Sequence, residues 1–232
     1  MLIGTVGVGG VLMVAYLALF AGLSIHQAAA TALFSFLFTG ILGTALYQRR
    51  GSIDWRLTLP VCAGAVVFGF VGAMTAAAID RRPLAITIAL IIVFAGVYIF
   101  LPAKSDAARD GRAPGERWLL ASVGAVSGFG SGLSGAGGPL FSVPIMVILR
   151  YAPLAAVAAS QVLQIFAAAS GSLENARNGF IDWRVAAIIT VFELAGVAVG
   201  VRIAHAASAL VLRRLAGALC IASGGFLLAR SL

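Results

Sequence analysis

An all-α polytopic membrane protein is the fold class this sequence predicts, and three observations carry it. Apolar residues fill 61% of 232 positions and charged residues only 10%, too little charge to cover the surface of a soluble domain of this size. The uncharged positions gather into long runs, and about 20 apolar residues cross a hydrocarbon core of about 30 Å. Finally the chain repeats itself: "GSIDWR" at Gly51 to Arg56 returns as "GFIDWR" at Gly179 to Arg184. Membrane-spanning strands would alternate apolar and polar over about ten residues, and these runs do not.

Eight helical segments are expected. The first, 2–21, is uncharged and lacks the basic start of a cleavable signal. The second, 26–48, ends at Arg49 and Arg50. The third, 57–79, follows Asp54-Trp55-Arg56. Here Asp54 can cap the new helix, Trp55 suits the lipid–water interface and Arg56 can reach headgroups. The fourth, 84–101, runs into "PAKSDAARDGRAPGER", Pro102 to Arg117, the only long polar stretch. The fifth, 118–149, holds 32 residues without a charge, which as one helix would reach about 48 Å. The sixth is 153–173. The seventh, 185–207, follows Asp182-Trp183-Arg184, and the eighth is 209–229.

Sliding the chain on itself by 128 positions pairs Gly4 to Arg56 with Gly132 to Arg184, with fifteen identities in 53 pairs. This composition alone would give roughly five. The chain therefore divides into two four-segment repeats: 1–101, which is N-terminally short, and 118–232, joined by the polar linker 102–117. Met1 aligns with Phe129, so the first copy has no counterpart of Trp118 through Gly128.

The fifth segment contains "GFGSGLSGAGGP", Gly128 to Pro139, which is poor helix. Two half-helices of ten or eleven residues, joined by an unwound turn, fit the run best, with Pro139 in the first turn of the second. The first copy offers "GTVGVGG", Gly4 to Gly10, opening onto Val11. The alternative use of such glycines is close helix packing. A break at membrane depth survives only inside protein or beside a wet cavity. A half-helix starting near Gly138 would aim free N–H groups at an anion. Gly9, Gly10, Ser134, Gly137 and Gly138 are thus candidate substrate ligands.

Polar residues on the next helices extend the set. Ser160, Gln161 and Gln164 share one face, and Thr31, Ser35 and Thr39 form a hydroxyl stripe. Thr31, Ser35, Ser160, Gln161 and Gln164 are read as substrate contacts, because amides and hydroxyls donate to an anion without a fixed charge. Interhelical hydrogen bonding is the competing use. Glu193 sits mid-helix, where its repeat partner is Ala65. A carboxyl at that depth is a candidate proton carrier, and otherwise bonds a neighbouring helix. His26 and His205 lie near helix ends and read as interfacial.

The doubled glycine turn ("GVGG", "GAGGP"), the small-residue helices "HQAAATALFSF" and "PLAAVAASQVLQ" and the closing "GxIDWR" together resemble the TauE/SafE family of membrane transporters, named for sulfite export. The resemblance covers essentially the whole chain. It implies movement of sulfite or small organosulfur anions across the bacterial inner membrane.

The net charge of +8 is scattered over short loops and reads as membrane-surface charge, not as a nucleic-acid surface. Both splits of basic residues between the two sides place the linker in the cytoplasm. They do not separate parallel repeats, with eight spans, from inverted repeats, with re-entrant glycine segments. Cys62 and Cys220 sit in apolar helices as buried thiols. No cofactor or metal is implied. No GxxxxGK[ST], HExxH or GxSxG motif occurs, so neither direct ATP use nor an intramembrane hydrolase is expected. The expected partners are a small anionic substrate and membrane lipid, with room for a homo-oligomer. The expected activity is secondary transport of sulfite or an organosulfonate, proton-coupled, with the site between the two breaks. A passive anion channel or a non-transporting assembly subunit is the alternative.

Overall fold

The computed structural model describes residues 9–100, 115–204, 221–222, 225–226 and 228–229. Eight helices fill the two long stretches: α1 Gly9–Phe20, α2 Ile25–Arg49, α3 Trp55–Ala78, α4 Arg81–Phe100, α5 Glu116–Ser134, α6 Pro139–Ile148, α7 Pro153–Arg177 and α8 Trp183–Ala204. No strand occurs among the described residues. The expected eighth segment, 209–229, His205, Cys220 and most of the linker fall outside them.

Local chemistry sets the helix ends. Ser24 opens α2 with a capping box: its hydroxyl accepts from the Gln27 amide at 3.3 Å, and Gln27 Oε1 accepts from the Ser24 amide at 3.1 Å. Asp54 caps α3 by accepting from the Arg56 amide at 2.9 Å, and Asp182 caps α8 by accepting from the Val185 amide at 3.0 Å. The repeated Asp-Trp-Arg is therefore a helix start. Its tryptophans, Trp55 at 42% and Trp183 at 58% exposure, stand outward.

Among the described residues four helices are long and apolar enough to cross a membrane: α2, α3, α7 over Leu154–Arg177 and α8 over Trp183–Gly200. Their outward faces carry bare hydrocarbon such as Leu59, Val67, Leu173, Val191 and Phe192, as expected where lipid is the solvent. The chain is a multi-pass membrane protein.

Small residues hold the interior together. The tightest seam joins α3 to α5. A Cβ on Gly128 would lie 2.7 Å from Ala65 Cα, and one on Gly124 or Gly132 would overlap the carbonyl oxygen of Val61 or Gly69. In return, a Cβ on Gly64 or Gly72 would overlap the carbonyl oxygen of Ala121 or Phe129. The two backbones touch directly.

The fifth expected segment is two helices of 19 and 10 residues, not two near-equal halves. Gly128, Gly130 and Gly132 stay helical because α3 and α6 press on them, and this packing outweighs glycine's poor propensity. The pair folds back on itself: the Phe141 ring of α6 covers Gly130 of α5. At the mouth, the Tyr151 hydroxyl donates to Glu116 Oε1 at 2.5 Å, with both residues buried. A segment entered at Glu116 thus returns to it at Tyr151.

Helices α2 and α7 cross antiparallel between these layers. Gly40 lies against the Gln161 carbonyl and Ile165, Gly43 against the Gln161 side chain, and Gly171 against Leu33. Positions 43 and 171, and 33 and 161, are each 128 apart. Likewise α7 packs on α3 where α2 packs on α8, and α6 on α7 where α1 packs on α2.

Candidate functional site

The site is built around the end of α5. Ser134 closes that helix: its hydroxyl donates to the Gly130 carbonyl at 2.6 Å and accepts from the Ala136 amide at 3.2 Å. Gly135 then turns left-handed at φ 65°, and Gly137 follows at φ 85°. Side-chain-bearing residues would be strained at both. Gly138 caps α6 without a side-chain hydrogen bond, and Pro139 takes the first turn. Pro139 carries no N–H, and the Phe141 and Ser142 amides donate to the Gly138 carbonyl at 3.2 and 3.1 Å; the amides of Gly137, Gly138 and Leu140 remain to face the turn, where the helix dipole adds partial positive charge.

This unwound stretch is enclosed. Every residue from Ser131 to Leu140 is buried. A Cβ on Gly135 would lie 2.5 Å from Ala29 Cα of α2. The corresponding Cβ on Gly137 would be 3.3 Å from the Phe36 ring and 3.4 Å from Gln164 Oε1, and one on Gly138 would overlap Leu163. Two walls, α2 and α7, thus face the break, which meets the requirement that irregular backbone be buried in protein.

The walls bring together part of the expected polar set. Gln164 Nε2 donates to the Phe36 carbonyl at 2.9 Å and to Thr39 Oγ1 at 2.8 Å, tying α7 to α2. Both of its N–H groups are spent, so Gln164 positions the walls and offers no donor to a substrate. Ser35 and Ser160 donate within their own helices, to the carbonyls of Ala32 at 2.8 Å and Val157 at 2.7 Å. Gln161 differs: it is 0% exposed, and neither end of its carboxamide has a hydrogen-bond partner among the described residues.

Thr31 is placed elsewhere. Its hydroxyl accepts from the Asp182 amide at 3.0 Å, so it anchors the start of α8. Gly9 and Gly10 open α1; the glycines before them, Gly4 and Gly7, lie outside the described residues, as does the first break. Glu193 is 5% exposed. The Ser35 hydroxyl lies beside it but gives its proton to Ala32, and both carboxyl oxygens lack a partner among the described residues. His26 links the start of α2 to the end of α3, with Nε2 3.0 Å from the Ile79 carbonyl and 3.2 Å from that of Ala76.

Sequence reasoning missed Ser127 and Ser131. Both are fully buried, with hydroxyls that lack a partner among the described residues, and the spacing of four and then three to Ser134 could have flagged them as one stripe leading to the break. It also missed Phe36, whose carbonyl and ring both serve the site, and the Glu116–Tyr151 pair. Among the described residues no lysine or arginine is buried at the site. What it can do chemically is present neutral N–H groups, from the buried break and, further along the α2–α7 crossing, from Gln161.

The chain is similar along its length to one family and to two curated relatives. The family described as "Sulfite exporter TauE/SafE" matches residues 1–230. From Bacillus subtilis (strain 168), "Probable membrane transporter protein YdhB" is 26% identical over 219 residues, covering 91% of this chain and 89% of the relative. From the same organism, "Probable membrane transporter protein YunE" is 25% identical over 182 residues, covering 71% and 67%. No solved structure matches the chain significantly.

Proposed function

We propose that this chain, which belongs to the TauE/SafE family of membrane transporters, is a secondary transporter that moves a small oxyanion, sulfite or an organosulfonate, across the bacterial inner membrane. The observation that carries the reading is the unwound Gly135–Gly138 turn, sealed between α2 and α7. Backbone amides at a helix start hold an anion by partial charge, which is firm enough to bind and weak enough to release.

Protons are the proposed coupling ion, with Glu193 as carrier. It is a buried carboxyl one helix away from the break, bordering the Ser35 hydroxyl, and a carboxyl at that depth is a proton-relay candidate. The linker is assigned to the cytoplasm. The fold-back of α5 and α6 supports three crossings per repeat and therefore inverted halves, the architecture in which two broken helices meet near the midplane.

The test is uptake of sulfite and of a two-carbon sulfonate into proteoliposomes holding the purified chain, with and without a pH gradient. Saturable flux that responds to the gradient is expected. No flux of any sulfur oxyanion defeats the substrate assignment, and flux that never saturates favours a passive channel.

A further inference from the structure

We infer that Gln161 is the hydrogen-bond donor that selects the anion, and that Gly43 exists to leave it room; this rests on the transport reading above. A buried carboxamide without partners is unusual, because its desolvation is uncompensated. Gln164, one turn further along the same helix, has the same side chain and spends both N–H groups on α2. The difference between them therefore comes from placement, not from residue type.

The repeat supplies a control built into the molecule. Gln161 sits in the notch of Gly43, and 128 residues away the same two positions are reversed in order: Leu33 sits in the notch of Gly171. A Cβ on Gly43 would overlap Gln161 Oε1, and one on Gly171 would lie 2.8 Å from Leu33 Cδ2. Hydrocarbon fills the second notch without any polar group. Packing at this crossing consequently does not require an amide, yet the first notch carries one at the cost of burying it unpaired.

The chemistry of that group defines the ligand. A carboxamide brings two N–H donors and no charge. Adjacent oxygens of a sulfite or sulfonate head can accept both. A cation finds no such match: among the described residues the buried carboxyl on this side, Glu193, lies across α2 beside Ser35. Gln161 is thus a specificity-determining residue whose unmet hydrogen bonds are completed by the substrate.

Two variants test this in proteoliposomes and in detergent: Gln161→Leu, which copies the Leu33 notch, and Gln161→Met, which keeps the unbranched shape. Both are expected to raise the half-saturating sulfite concentration about 10- to 100-fold, the range for a lost hydrogen bond to a charged group. At least one is expected to raise the melting temperature, because the unpaired amide is gone. If the wild type moves sulfite and both variants keep its half-saturation, the assignment of Gln161 is overturned while the transport reading stands. If both variants melt lower than wild type, the amide is a structural element and the assignment is equally overturned. A wild type that moves no oxyanion fails at the transport reading itself, and the assignment falls with it.

Discussion

Replacing glycine by alanine inside a helix ordinarily stabilises a protein by up to about 1 kcal/mol, through backbone entropy. At Gly128 the sign should reverse. The added Cβ would lie 2.7 Å from both Ala65 Cα and the Ala65 carbonyl oxygen, while comfortable contact needs about 3.5–4.0 Å. Neither obstacle is the loose end of a side chain, so the two helices must separate by about 1 Å. A gap of that size forfeits a quarter to a half of each dispersion contact along the seam. Gly124 and Gly132 lie on the same seam and lose contact with it. An overpacking cost of about 2–3 kcal/mol, less the helix gain of about 1 kcal/mol, leaves a net loss of about 1–2 kcal/mol. In a chain of this length that is a drop of roughly 2–8 °C in melting temperature. Gly225 is the matched control: it is helical, and a Cβ there meets nothing within 4 Å. Gly225→Ala should leave the melting temperature unchanged or higher. Thermal unfolding of the detergent-solubilised protein measures both. A Gly128→Ala protein as stable as wild type would refute direct backbone contact between α3 and α5.

Three further outcomes are expected. Single cysteines at Ser52 and Phe180, probed in intact vesicles with an impermeant thiol reagent, should label from opposite sides if, as proposed, the α5–α6 segment is re-entrant and each repeat crosses three times; same-side labelling would mean that the glycine segment spans. Glu193→Gln should keep sulfite binding within about threefold and abolish the response of uptake to a pH gradient, because the amide retains the shape but carries no titratable proton; a gradient response of wild-type size would remove Glu193 from the coupling. Tyr151→Phe deletes only the hydroxyl that donates to Glu116, and a hydrogen bond to a charged group is worth about 1.5–3 kcal/mol. Amide hydrogen exchange at the start of α5 should accelerate by about tenfold or more, and unchanged exchange would show that the hairpin mouth is held by something else.

Much of this architecture is written in short-range signals. Charge-free runs located the spanning helices within a few residues, and Asp54 and Asp182 announced the starts of α3 and α8 through side chains that reach only two or three residues ahead. Pro139 marked the start of α6 for the same reason. Legibility fails where the deciding atom is remote. Gly128, Gly130 and Gly132 look like helix breakers in the chain and stay helical only because Val61–Gly69 of α3 and Phe141 of α6 occupy the space a Cβ would take. Thr31 looked like the top of a substrate stripe, yet its partner is a backbone amide 151 residues away. Gln161 and Gln164 are indistinguishable in sequence, and only the position of the Phe36 carbonyl and Thr39 decides which of them is satisfied.

The enclosure of the Gly135–Gly138 turn has a consequence for how the chain is made. One of its walls, α2, has already left the ribosome when the turn emerges, but the other, at Leu163 and Gln164, is synthesised roughly 30 residues later. During that interval the open backbone has half a shelter, and hydrocarbon cannot solvate its amides. Chain order and the need for both walls therefore favour a hairpin that stays in water or within the insertion machinery until α7 has emerged.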